Sequence, residues 1–253
     1  VDWNPFFNLW NIKGSYPDIL KDPHAGKQAS ILLNDAKAML HRIVEKKWLT
    51  ARGVYGIFPA NTADNDVIEM YGPHSEVIAH FPTLRQLTRK TKSGPNLALS
   101  DYIAPKESGK RDYLGMFCVS AGFGADQQAE YFKSQLDDYS SIMLKALADR
   151  LAEAFAEYLH MRVRKDFWGY SPDERLTMEE IIAAEYRGIR TAPGYPACPE
   201  HKDKKTIWRV LDVEKNIGAK LTDNYAMWPA ATVSGFYFSH PDAKYFGVGI
   251  KNF

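Results

Sequence analysis

The chain has 253 residues, 45% of them hydrophobic and 25% charged, with a formal net charge of +1 at pH 7. That composition suits a globular protein with a sizeable core, and so small a net charge leaves no electrostatic footprint for nucleic acid. No apolar run approaches the roughly 18 residues of a membrane span, and two cysteines, Cys118 and Cys198, fit a reducing cytosol better than a disulfide framework, so a cytoplasmic protein is expected.

The first residue is Val1, not a start methionine, and no signal-peptide pattern follows, so the chain reads as a piece of a longer polypeptide. Asp22-Pro23-His24-Ala25-Gly26 reads as a turn ahead of a helix. That helix is expected over residues 28–48, where Ala29, Leu32, Leu33, Ala36, Leu40, Ile43 and Val44 recur at three- and four-residue steps. Val54–Phe58 is a strand candidate stopped by Pro59. Val67–Tyr71 and Glu76–Phe81 suit a hairpin around Gly72-Pro73-His74. Thr83–Lys90 reads as a short helix, and Thr91–Asn96 as a loop. Asp112–Ser120 is an apolar strand candidate closed by Gly122 and Gly124.

Residues 125–168 form the longest helical pattern, with a break near Asp137-Asp138 and an apolar stripe through Ile142, Leu144, Leu147, Leu151, Phe155 and Tyr158. Thr177–Tyr186 is a further helix with a Thr177/Glu180 capping box. Thr206–Asn216 is another, ended by Gly218. Tyr225–Trp228, Val233–Phe238 and Tyr245–Ile250 read as closing strands. Strands in groups with long helices between them predict an α+β fold, a single domain over residues 1–253 with a largely antiparallel twisted sheet. It is not a Rossmann fold, because Gly122-Phe123-Gly124 is too short for a dinucleotide fingerprint. Cys198 and His201 are three residues apart, but Cys118 is the only other thiol, so no metal site is expected. No catalytic side-chain set stands out.

The most informative stretch is Arg190-Thr191-Ala192-Pro193-Gly194-Tyr195-Pro196-Ala197-Cys198-Pro199-Glu200-His201. Three prolines stiffen it, and Gly194 tolerates a positive φ or a close backbone approach. Arg190 offers a fork for a carboxylate or phosphate. A small anionic ligand with a flat ring would suit it; so would the role of a plain Pro-rich connector. Asp149, Glu153 and Glu157 line one helix face, either a solvated face balanced by Lys145 and Arg150 or a surface for a partner. Asp2 is a terminal cap, or a carboxylate for an ammonium group. Tyr245 and Phe246 pack in a sheet of aromatics, or present a ring and hydroxyl to a ligand.

The 190–201 stretch, with its lead-in Tyr186-Arg187-Gly188-Ile189, resembles the signature loop of the activation domain of cobalamin-dependent methionine synthase. Asp2–Phe7, Arg52–Asn61, Lys145–Glu157, Ala226-Met227-Trp228-Pro229 and Val233-Ser234-Gly235 agree in order, nearly end to end. The resemblance implies that the chain binds S-adenosylmethionine and caps a cobalamin-binding domain of the same polypeptide. There it would serve reductive methylation of cob(II)alamin, with the electron coming from a flavoprotein such as flavodoxin or a methionine synthase reductase. It implies ligand contacts from Asp2 to the α-ammonium, from Arg190 to the carboxylate, from the Ala192, Gly194 and Tyr195 backbone to the adenine, and from Tyr245 and Phe246 near the sulfonium. Asp149 and Glu153 would face the cobalamin domain. The isolated chain would not act on homocysteine. Thr191 replaces a proline common in the family, Phe246 replaces a second tyrosine of some members, and the chain stops before a polar tail. The alternatives are a free-standing small-molecule methyltransferase and a non-catalytic docking module.

Overall fold

The computed structural model describes residues 1–87 and 94–248. Its backbone divides into two compact units, each assembled from three stretches of chain. The first comprises Val1–Arg52, Val119–Tyr158 and Ala226–Val233; the second comprises Gly53–Cys118, Leu159–Tyr225 and Ser234–Phe253.

The first unit is mainly helical. It holds α1 (Asn4–Leu9), α2 (Gly26–Lys46), α3 (Ala125–Ser134) and most of α4 (Asp138–Arg162). The aromatic run at the N-terminus supplies its core: Phe6 and Phe7 are buried with Leu32, Leu33, Met39 and Ile43 of α2 and Met143 and Leu147 of α4. Burying each such side chain stabilises by about 1.5–3 kcal/mol. A second cluster is built almost wholly from alanines, Ala121, Ala125, Ala148, Ala152 and Ala231. Small side chains let backbones approach closely, and the Ala121 N–H donates to the Ala231 carbonyl at 3.0 Å. Asp22 builds the expected turn before α2, its Oδ1 accepting from the His24 and Ala25 N–H groups at 2.8 Å each.

The second unit carries most of the strand residues, while β7 and the ends of β1, β4 and β8 fall in stretches of the first. The strands are β1 (Thr50–Ala63), β2 (Val67–Tyr71), β3 (Val77–Pro82), β4 (Asp112–Phe123), β5 (Ile189–Thr191), the short β6 (Lys220–Leu221) and β7 (Met227–Trp228), and β8 (Thr232–Phe238). Six of them lie in the order β3-β2-β1-β4-β8-β5, with antiparallel registers for β1·β2, β2·β3 and β5·β8. This is the α+β, largely antiparallel fold expected from the sequence. Phe81 stacks on Phe236 at 4.3 Å and Phe117 on Tyr237 at 4.7 Å, and all four rings are buried. Among the described residues no helix is long and apolar enough to cross a membrane.

Several boundaries differ from the sequence expectation. Pro59 does not end its strand, because β1 runs to Ala63 and its pairing with β2 starts at Ala60, just past the missing donor. β4 likewise continues through Gly122 to Phe123. Residues 83–87 are not helical: the Gln86 N–H donates to Leu97 and the Leu87 N–H to Val248, and Arg85 is held by Asp66 and Asp101. Residues 88–93 lie outside the described part. The Thr177/Glu180 capping box forms, but α5 (Met178–Ile182) ends early, and Ala184 takes φ 57°. The helix expected over 206–216 is two, α6 (Lys204–Val210) and α7 (Val213–Ile217), broken at Asp212 with φ 45°. Tyr245–Val248 is not a strand, and Ile250 lies outside the described residues. Ile142, Tyr158 and Val44, expected in apolar stripes, are exposed, so the buried stripes are narrower than the hydrophobic pattern.

Candidate functional site

Arg190 stands in a strand that the sequence reading assigned to a loop. Gly188, at φ 81°, turns the chain where a side chain would strike the Phe238 carbonyl, and β5 starts at the next residue. Its register is Ile189↔Phe238, Arg190↔Tyr237 and Thr191↔Phe236. Ile189 and Thr191 are buried while Arg190, between them, is half-buried, which is the alternation of a strand with one covered face. Gly235 of β8 makes room for this edge strand, since a Cβ there would run into the Thr191 carbonyl. Thr191 is thus held by the ladder. The Arg190 guanidinium carbon lies 6.0 Å from the centre of the Phe117 ring.

β5 is the last strand of the sheet, so Arg190 presents backbone groups to the open edge. The hydroxyl of Tyr245 meets both: it accepts from the Arg190 N–H at 3.1 Å and donates toward the Arg190 carbonyl at 3.1 Å. The same oxygen is 3.2 Å from the Tyr186 hydroxyl. The Tyr245 side chain is nevertheless 49% exposed. Phe246 is half-buried and packs edge-on against Tyr102 at 6.3 Å, so Tyr245 and Phe246 do have different surroundings, although not through strand alternation.

The loop after β5 is closed by its own backbone. The Gly194 N–H donates to Cys198 O at 2.7 Å, Tyr195 N–H to Ala192 O at 3.2 Å, and Cys198 N–H to Tyr195 O at 2.9 Å. Gly194 has φ 98°, and a Cβ would collide with the His201 ring, so this position requires glycine on two counts. Gly194 and Tyr195 are exposed and Ala192 is half-buried. Under the loop, the Cys198 thiol donates to Asp203 Oδ2 at 3.7 Å, and burial pushes the Asp203 carboxyl up to about 6. His201 Nδ1 lies 3.1 Å from Lys204 Nζ, which itself donates to the Tyr225 carbonyl at 3.0 Å. Cys198 and His201 therefore serve the loop's packing.

Behind Tyr186 lies a buried polar group that the sequence reading missed. α4 ends in a π-helical turn, Val163–Phe167, that carries the fully buried Arg164. Its guanidinium holds Glu174 with two 2.8 Å hydrogen bonds and sits 4.1 Å above the Tyr186 ring. His160, also buried, stacks on Tyr237 at 5.0 Å, meets the Tyr186 ring edge-on at 4.8 Å, and places Nε2 3.4 Å from the Tyr170 hydroxyl. Burial, reinforced by the positive charges of Arg164 and Arg190, holds its pKa well below the usual histidine value. The only hint in the sequence was the density of His, Arg and Tyr within a stretch read as continuous helix; a π turn has no pattern of its own.

Two groups of expected site residues lie in the first unit. Asp2 is half-buried, and its Oδ1 accepts from the Asn4 N–H at 3.0 Å, where α1 begins. On α4, Asp149 is exposed while Glu153 and Glu157 are half-buried. Asp149 loses solvent to its neighbours, and this raises its pKa, with the positive charge of Arg150 opposing and the negative charge of Glu153 adding to the shift. Lys145, expected to balance this face, is directed to Asp126 at 3.5 Å.

The family model of the vitamin B12-dependent methionine synthase activation domain matches residues 1–252. The chain belongs to this family. A crystal structure of the MetH reactivation domain bound to AdoHcy is 54% identical, with a TM-score of 0.94 over 98% of this chain and 76% of the other. The match extends over both units, and the loop from Arg190 is one part of it.

Proposed function

We propose that this activation domain binds S-adenosylmethionine at Arg190 and the loop that follows, and presents its methyl group to a cobalamin-binding domain of the same polypeptide. The observation that carries the proposal is the juxtaposition in the second unit. The edge strand β5 carries the half-buried Arg190, the loop directly after it holds Gly194 at positive φ and the exposed Tyr195, and the exposed Tyr245 is hydrogen-bonded to the Arg190 backbone. The binding of AdoHcy, the demethylated form of the same ligand, by a 54% identical domain supports it.

The residues present fit that ligand by chemistry. Arg190 pairs with its α-carboxylate. The Ala192, Gly194 and Tyr195 backbone meets the adenine edge, which only a loop without a side chain at position 194 allows. The Tyr245 ring, with Phe246 behind, lies beside the sulfonium; a cation over an aromatic face gains about 0.5–2 kcal/mol. Asp2 takes the α-ammonium, a role that rests on the sequence resemblance. Cobalamin, held mainly by the other domain, supplies the metal nucleophile, and a flavoprotein such as flavodoxin or a methionine synthase reductase supplies the electron. This chain's contribution is positioning, which alone is worth several kcal/mol of barrier. Asp149 and Glu153 face the cobalamin domain. A free-standing methyltransferase would need acceptor groups of its own beside Arg190, and no observation favours that reading.

The division of labour can be measured. The chain alone, given S-adenosylmethionine and homocysteine, should form no methionine. Adding a cobalamin-loaded domain and a low-potential reductant should yield methylated cobalamin, followed by absorbance. Methyl transfer by the chain alone to a small thiol would overturn the proposal.

A further inference from the structure

The contacts behind Arg190 form a continuous line. Glu174 holds Arg164 through two hydrogen bonds of 2.8 Å. Arg164 lies over the Tyr186 ring at 4.1 Å. The Tyr186 hydroxyl is 3.2 Å from the Tyr245 hydroxyl, and that hydroxyl holds the Arg190 N–H and carbonyl at 3.1 Å each. Tyr245 is half exposed and comes from a stretch without secondary structure, so its own backbone does little to fix its ring. Tyr186, by contrast, is buried between a fixed cation and the edge-on His160 ring. The rigid end of the line is the ion pair, and the loose end is the tyrosine that meets the open sheet edge. The π-helical turn supports this assignment: one extra residue in the last turn of the helix re-aims the side chains there, and such turns are common at functional sites.

From this geometry we infer that Tyr186 is a positioning residue for the ligand site, anchored by the Arg164–Glu174 pair and acting through Tyr245 on the backbone of Arg190. The inference rests on the proposed function only where ligand is involved; its structural part concerns the chain by itself. Tyr186 touches no ligand in this account. Its hydroxyl selects the position of Tyr245, and Tyr245 in turn holds the N–H and carbonyl of the residue whose guanidinium takes the carboxylate. Removing the Tyr186 hydroxyl leaves the ring, its place over Arg164 and the buried ion pair intact.

The test uses Tyr186→Phe in the full chain, with two readouts. The first is amide hydrogen exchange without ligand. The Arg190 N–H should exchange about 5- to 10-fold faster than in the wild type, the effect of losing roughly one hydrogen bond, while the Arg164 and Leu114 amides keep their protection. The second is equilibrium binding of S-adenosylmethionine, which should weaken by a similar factor. In a Tyr245→Phe background the Tyr186→Phe change should have no further effect on either readout, because the link it acts through is already gone. Unchanged exchange at Arg190 would overturn the inference, and so would additive losses in the double variant. If Tyr186→Phe loses protection throughout, Tyr245→Phe alone carries the test: it must speed exchange at Arg190 and leave the Arg164 and Leu114 amides protected, and failure of either overturns the inference. A wild type that does not bind S-adenosylmethionine would instead defeat the functional proposal and leave the exchange result to stand.

Discussion

At the scale of single residues, Arg190 and His160 make opposite demands on charge. Arg190 is half-buried, its backbone N–H and carbonyl are held by Tyr245, and its guanidinium is the cation proposed to take the ligand carboxylate. Arg190→Ala should weaken S-adenosylmethionine binding by about 2–4 kcal/mol, as for a charge-assisted bidentate pair, with little change in the midpoint of urea unfolding. A variant that binds normally by calorimetry would remove Arg190 from the site. His160 must stay neutral among Tyr237, Tyr186 and the two arginines. Its folded pKa lies below the 6.5 of the unfolded chain, so the unfolded state takes up the proton first as pH falls. The stability it contributes is complete above 6.5 and is lost below it, at up to about 1.4 kcal/mol per pH unit. His160→Phe keeps a ring in the stack and should flatten the loss of stability between pH 7 and pH 5 in urea titrations. Identical slopes in both proteins would show that His160 is not held neutral. The raised pKa of Asp203 acts in the opposite sense, but equally in both proteins, so the comparison isolates His160.

Among the elements, α4 has two separate tasks. Its early turns bury Met143 and Leu147 in the helical unit, while Asp149, Glu153 and Glu157 line another face. Like charges at four-residue steps cost an isolated helix about 0.2–0.5 kcal/mol per pair, and loss of solvent raises the Asp149 pKa, with the Arg150 charge opposing and the Glu153 charge adding to it. Asp149→Asn with Glu153→Gln should therefore keep or slightly raise stability at neutral pH and leave S-adenosylmethionine affinity unchanged. In the full-length enzyme it should alter the lower-ligand equilibrium of the oxidised cobalamin. Unchanged cobalamin spectra would restore the reading of a solvated face. The long helices, the β2–β3 hairpin and the capping box at Thr177 were legible in the sequence because each is set by local periodicity or turn chemistry. β5 was not, since three residues carry no periodicity and the strand exists only by pairing with β8. The early end of α5, with Ala184 just beyond it, and the break at Asp212 were invisible for a different reason: both are non-glycine residues at positive φ, which local propensity does not announce. Pro59 misled in the other direction, because it lies just before the first residue of β1 that pairs with β2 and so removes no donor from that register.

For the whole molecule, the grouping of strand and helix patterns along the chain pointed to the fold class, and the order of short motifs pointed to the family. The candidate site was legible in part. Gly194 earned its place by a positive φ and a crowded His201, both foreshadowed by Pro-Gly-Tyr, and Arg190 stood out as a cation in a stiff segment. What the sequence could not show was the support behind it, from Glu174 through Arg164 and Tyr186 to Tyr245, because residues up to 59 positions apart meet only in the fold. The central claim is that this chain carries the methyl donor's site by itself. The direct measurement is titration calorimetry of S-adenosylmethionine into the wild-type chain without cobalamin or any partner. The account predicts saturable binding of one ligand per chain, competed by AdoHcy. No heat and no competition at millimolar ligand, with the chain folded by circular dichroism, would contradict it.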